Sequence, residues 1–135
     1  MTEQTSERWS YLEEDDILDV YFDGFGGERP VWTIELTDNI TITIDRSSKK
    51  ALALGLLDVT ALASRTPSGP RSFPITGLAD LPLDERDLVL EALTSDPVRR
   101  WLDVSTVELL PDSPFAVIHL AALPSELSRR LAVPA

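Results

Sequence analysis

Glu13, Glu14, Asp15, Asp16, Asp19 and Asp23 crowd into one short stretch of the chain. Clustered carboxylate oxygens are the donors that calcium and magnesium prefer, and they also steer basic partners toward a surface. The loop that would make a cation site specific, Asp-x-Asp-x-Asp-Gly with a distal Glu, is missing. The ordinary reading of these acids is therefore a solvated turn. His119 is the only histidine. A serine triad needs such a residue oriented by a carboxylate beside a serine. Ser113 is near in sequence, but there is no Gly-x-Ser-x-Gly elbow, and a half-exposed strand position accounts for His119 without catalysis.

Gly24-Phe25-Gly26-Gly27 has the composition of a phosphate-cradling loop. No helical pattern follows it, no lysine is placed for a phosphate, and Asp23 and Glu28 would repel one, so a hairpin loop fits better. Arg99-Arg100 beside Trp101 and the pair Arg129-Arg130 have the makings of a nucleic-acid stacking surface. In a chain this acidic, cations complementing helix C-termini are the better reading. Trp9, Trp32 and Trp101 read as core or interface anchors rather than a ligand cage. No catalytic residue, cofactor site or metal site is assigned.

The elements that must position these side chains follow from periodicity. Residues 17–22 alternate as a strand with Leu18, Val20 and Phe22 on one face. Residues 31–36 form a second strand, Trp32, Ile34 and Leu36 sharing a face behind Pro30. Ile40-Thr41-Ile42-Thr43-Ile44 is the clearest strand, isoleucines inward and threonines outward. Residues 51–57 place Leu52, Leu54 and Leu56 on one face and the small Ala51, Ala53 and Gly55 on the other, a surface that a helix or another chain can approach closely. Asp58 is a candidate N-cap for a short helix over residues 58–63. Residues 64–77, rich in Pro and Gly, read as an extended linker that wraps the core or joins two units. Residues 84–94 are helical, with acids in the first turn. Pro97 at a first helical position starts another helix. Residues 104–110 and 115–121 form a hairpin, and Ser125 starts a last helix.

The expected fold is thus α+β: a four-stranded antiparallel meander with a short helix in residues 1–63, the linker, then helices, a C-terminal β-hairpin and a short terminal helix in residues 78–135, packed on the first part as one domain. The hairpin is expected to extend the first sheet or to pair with a second chain.

The 135 residues suit one domain. With 43% apolar and 26% charged residues, the composition is that of a globular protein. There is no cysteine, which excludes disulfides and thiolate chemistry. No run approaches a membrane span, the N-terminus lacks the pattern of a secretory signal, and a cytoplasmic location is expected. Twelve bases against 23 acids give a net charge of −11, which disfavours nucleic acid and anionic membranes. Nine of the acids, against one base, lie in residues 1–28.

Trp9-Ser10-Tyr11-Leu12-Glu13-Glu14-Asp15-Asp16-Ile17-Leu18-Asp19-Val20-Tyr21-Phe22, with its tyrosine, acidic turn and apolar-x-apolar-tyrosine strand, resembles the opening of a bacterial family of small β-rich proteins, domain-of-unknown-function family number 2283. The stretches from Asn39 to Asp45 and from Ala51 to Thr60 are similar to that family's second half, in which a Gly-apolar-apolar-apolar-Asp step leads into a short helix. The resemblance covers about residues 9–63. The Gly-rich loop and the strand around Trp32 make a longer insert than short members carry, and residues 64–135 lie outside it. It carries over no catalytic residue. Some members look like antitoxin components encoded beside small toxins, so the resemblance implies a protein partner. The expected function is a non-enzymatic interaction protein, an antitoxin-like neutraliser of a small basic protein. Asp15, Asp16, Asp19, Asp23 and Trp32 form the candidate partner surface; self-association as a homodimer, through the small face of Ala51, Ala53 and Gly55, is the other expectation. A small-molecule or metal-binding accessory domain, with a cleft between sheet and helices, is the alternative.

Overall fold

A computed structural model describes residues 8–22, 30–63, 65–67, 69–70, 73–78, 81–110, 113–121 and 123–131. The fold is α+β. Its main sheet is built from β1 (Arg8–Leu12), β2 (Ile17–Tyr21), β3 (Val31–Thr37), β4 (Ile40–Asp45) and β5 (Ala51–Leu57). The spatial order is β1-β2-β5-β4-β3, with all neighbours antiparallel. This corrects the four-stranded meander in two ways. Arg8–Leu12, ahead of the expected strands, supplies a fifth, β1. And β2 pairs with β5 rather than β3, so β2-β5-β4-β3 is a Greek key.

Side-chain chemistry explains the order. The uninterrupted apolar run of β5 suits a central position, whereas β1 and β3, with Arg8 and Glu35, carry the charge that edges tolerate. The chain from Phe22 to Pro30 is also long enough to span the three strand spacings, about 14 Å, between β2 and β3.

Period-two alternation buries one face of this sheet. Tyr11, Leu18, Leu56 and Ile40 form one inward row, and Val20, Leu54, Ile42 and Ile34 the next. Each such side chain contributes roughly 1.5–3 kcal/mol on burial. The register of β4 against β5 slips between Thr43 and Ile44. As a result Ala51 and Leu52 are both buried, and the expected small face of Ala51, Ala53 and Gly55 keeps only its last two members outside.

Helix α1 (Val59–Leu62) follows β5 and buries Val59 and Leu62. The described residues of the 64–77 linker run against the rest of the fold. β6 (Arg65–Thr66) pairs with β7 (Gly69–Pro70), and β8 (Phe73–Pro74) docks on the later strand Ser113–Leu120. Ile75 and Leu78 are buried, and the Gly77 N–H donates to the Leu36 carbonyl of edge strand β3 at 3.0 Å. Helix α2 (Leu83–Leu93) inserts Val89 and Leu93 into the core. The second expected helix shrinks to one 3-10 turn, Val98–Arg100.

β9 (Leu102–Leu110) and β10 (Ser113–Leu120) form the expected hairpin, but in a separate three-stranded sheet, order β8-β10-β9. It does not extend the main sheet but packs on it, as Leu102 and Ile118 sink into the same core as Leu18, Ile42 and Val89. Helix α3 (Ser125–Leu131) adds Leu127 and Leu131 to that core. Trp101 is buried, and Trp9 and Trp32 pack against the core from its margin. Among the described residues, no helix is long and apolar enough to cross a membrane.

Candidate functional site

The Greek key sorts the turn residues to two ends of the main sheet. One end gathers the turn of residues 13–16, the β3–β4 turn and the start of α1. Glu13, Glu14, Asp15, Asp38 and Asp58 are all exposed there. The other end carries the β4–β5 turn with Arg46, Lys49 and Lys50 exposed, and Arg8 stands at the same end. The strands hold the two ends roughly 20 Å apart. Among the described residues of the main sheet, exposed acids thus collect at one end and exposed bases at the other, where Asp84, Glu85, Glu91 and Asp96 line the hollows beside them, although in the sequence the charges are interleaved.

Asp16 organises the acidic end. Its backbone adopts φ 54, a left-handed conformation that Asp tolerates better than most residues. Its carboxylate accepts from the Tyr11 hydroxyl at 2.6 Å, from the Thr60 N–H at 3.1 Å and from the Thr60 hydroxyl at 3.0 Å. Its carbonyl accepts from the Val59 N–H at 3.2 Å. Asp16 thus satisfies the free N–H groups at the start of α1 from 44 positions away in sequence. The expected N-cap, Asp58, occupies the cap position but makes no side-chain cap bond. Its φ of 55 turns it aside, and its Oδ2 accepts instead from the Asn39 side-chain amide at 3.1 Å, tying the β3–β4 turn to α1.

Burial, then the bond donated to Asp16, raises the Tyr11 pKa above its ordinary value. Arg130 of α3 completes the cluster. Its guanidinium stands 5.4 Å from the Tyr11 ring centroid, donates to the Tyr11 carbonyl at 3.0 Å and pairs with Glu13 at 3.2 Å. Arg130 stands in the last turn of α3, as expected, and from there also engages β1.

Of the candidate partner residues, Asp15 and Asp16 lie together in the acidic turn, the first exposed and the second partly covered by its own bonds. Asp19 stands on the outward face of β2, opposite Gly55. Trp32 pairs with Ile44 at the basic end and on the inward face, so it is not part of a surface shared with Asp15. Asp23 and the glycine-rich loop lie outside the described residues.

Period-two reasoning missed an apolar row on the outward face, at the acidic end. Leu12 pairs with Ile17, and Ile17 with Leu57. Leu12 is 49% and Leu57 45% exposed, and Ile17 is half-buried. The outward alternation of each strand was readable, but the alignment of their ends depends on the strand order.

At the basic end, two adjoining hollows of about 490 Å³ and 360 Å³ separate the β4–β5 turn from α2. Phe22, Ala51, Leu88 and Ala92 give the larger an apolar floor, and Lys49 and Lys50 face Glu91 and Asp96 across its mouth. His119 pairs with Asp103 across β9 and β10, Nε2 to Oδ2 at 3.2 Å. Among the described residues, no three carboxylate or imidazole groups gather closely enough to hold a metal ion. No family model, curated protein or solved structure matches the chain.

Proposed function

We propose that this chain is a non-enzymatic interaction protein, an antitoxin-like neutraliser of a small basic protein. The observation that carries this reading is the end of the main sheet that gathers exposed Glu13, Glu14, Asp15, Asp38 and Asp58. Concentrated charge of one sign accelerates encounter with a partner of the other, while apolar contacts slow its departure. The resemblance of residues 9–63 to a family with antitoxin-like members supports the same reading. The test is gentle purification from the native host at low salt, followed by mass spectrometry and light scattering. A stoichiometric small basic companion that is lost at high salt is the expected result. A homo-oligomer without a companion would turn the reading toward self-association.

The hollows between the β4–β5 turn and α2 favour a second reading, a small-molecule accessory domain. Their apolar floor and mixed-charge mouth suit an amphiphilic organic molecule of modest size. A ligand bound only to the native state must raise the melting temperature. A thermal-shift screen in which Ala92→Phe abolishes the rise would locate such a ligand in this cleft.

A further inference from the structure

Leu12, Ile17 and Leu57 stand side by side on neighbouring strands, so their spacing is the strand spacing, about 4.8 Å, and the row is about 10 Å long. An α-helix advances 5.4 Å per turn. Side chains at i, i+4 and i+7 of a helix laid across the strands therefore meet the three in turn. The floor beside the row is low: the adjoining outward row runs Ser10, Asp19, Gly55 and Thr41. At Gly55 a Cβ would meet the Thr41 hydroxyl at 2.8 Å, so a larger residue there would have to push Thr41 aside. On the opposite flank stand Glu14, Asp15 and Asp58, all exposed.

We propose that the Leu12–Ile17–Leu57 row, flanked by these acids, is the docking surface for a basic amphipathic helix of a protein partner. This rests on the reading of the chain as an interaction protein and adds where the partner sits and by what chemistry. The charge selects the occupant. A second copy would bring the same acids against themselves, whereas a helix with lysines or arginines beside its apolar stripe pairs with them.

The probe is a synthetic amidated peptide of lysines with leucines at i, i+4, i+7 and i+11, titrated by fluorescence anisotropy against the full chain. Leu12→Asn/Leu57→Asn, at positions already exposed, is expected to weaken binding at least tenfold with the melting temperature unchanged. Leu83→Asn, an exposed leucine elsewhere (71%), is expected to leave binding unchanged. If the double variant loses melting temperature, Leu57→Lys alone replaces it with the same expectation. Equal binding by the double variant, equal binding of a peptide with serines for leucines, or no binding at all would overturn the docking surface. So would a wild-type dimer in light scattering that the double variant dissolves. A native basic companion that the double variant retains would overturn the surface while leaving the interaction reading intact. Absence of any companion alongside specific peptide binding would do the reverse.

Discussion

Asp16 concentrates in one residue what a helix start normally takes from its own neighbours. An N-cap is worth about 1 kcal/mol when it comes from the adjacent residue. Here the carboxylate also receives the Tyr11 hydroxyl, whose loss would leave a buried donor short of a partner. Asp16→Ala is expected to lower unfolding free energy by about 2–3 kcal/mol in urea denaturation. Asp16→Asn, which keeps an acceptor oxygen and tolerates the left-handed backbone, should cost about half as much. Tyr11 adds a pH signature. Its pKa is raised in the fold, so its contribution is fully present below about pH 10, the ordinary phenol value, and is lost as pH climbs through the raised one. Tyr11→Phe should flatten that alkaline decline in a series of melting curves. An unchanged slope above pH 10 would show that the phenol is not the titrating group. None of this was legible in sequence, because Asp16 and Thr60 meet only when β2 lies beside β5. A cap was expected at Asp58 since caps are sought one residue ahead of a helix.

Among the elements, those with their own periodicity were legible. The isoleucine strand β4, the shared inward face of Trp32, Ile34 and Leu36, helix α2 and the C-terminal hairpin all follow from residues within one element. The strand order does not, because it depends on which strands can endure an edge. The segment at residues 75–78 shows the same limit. Composition marks a linker up to Gly77 but not where it touches the core: Ile75 and, just beyond it, Leu78 are buried, and Gly77 lies so close to β3 that a Cβ would stand 1.7 Å from the Glu35 carbonyl oxygen. Glycine is required there for space. Gly77→Ala is expected to destabilise by more than about 2 kcal/mol, since backbone must move on one side. In native-state hydrogen exchange, opening at residues 75–78 should then come well before global unfolding. A variant as stable as wild type, with unchanged exchange, would show that the latch does not hold β3. The other edge carries a comparable attachment, from Arg130 to the Tyr11 carbonyl. Both edges of the main sheet are thus engaged by the chain itself, which turns attention from the edges to the outward face as the place to meet a partner.

At the scale of the molecule, the acidic and basic ends of the sheet make a prediction that depends on salt. The Debye length is about 8 Å at 0.15 M ionic strength and about 30 Å at 0.01 M, and the two ends are roughly 20 Å apart. Near physiological salt, a basic partner approaching Glu14 and Asp15 is therefore screened from Lys49 and Lys50. At low salt it feels both. Charge reversal of the exposed acids, Glu14→Lys/Asp15→Lys, leaves Asp16 and its bonds in place and should change stability by no more than about 0.5 kcal/mol. It should slow association with the basic companion about tenfold at 0.15 M and flatten the dependence of the rate on salt. Lys49→Glu/Lys50→Glu, at the far end, should leave the rate unchanged at 0.15 M and raise it at 0.01 M. Stopped-flow association of the four combinations of protein and salt separates two uses of the charge. If both reversals act alike at both ionic strengths, only the net charge of −11 matters, and the acids serve solubility rather than recognition. If they part at 0.15 M, the geometry of the sheet matters, because it places acids dispersed along the sequence around one end and beside the apolar row of Leu12, Ile17 and Leu57.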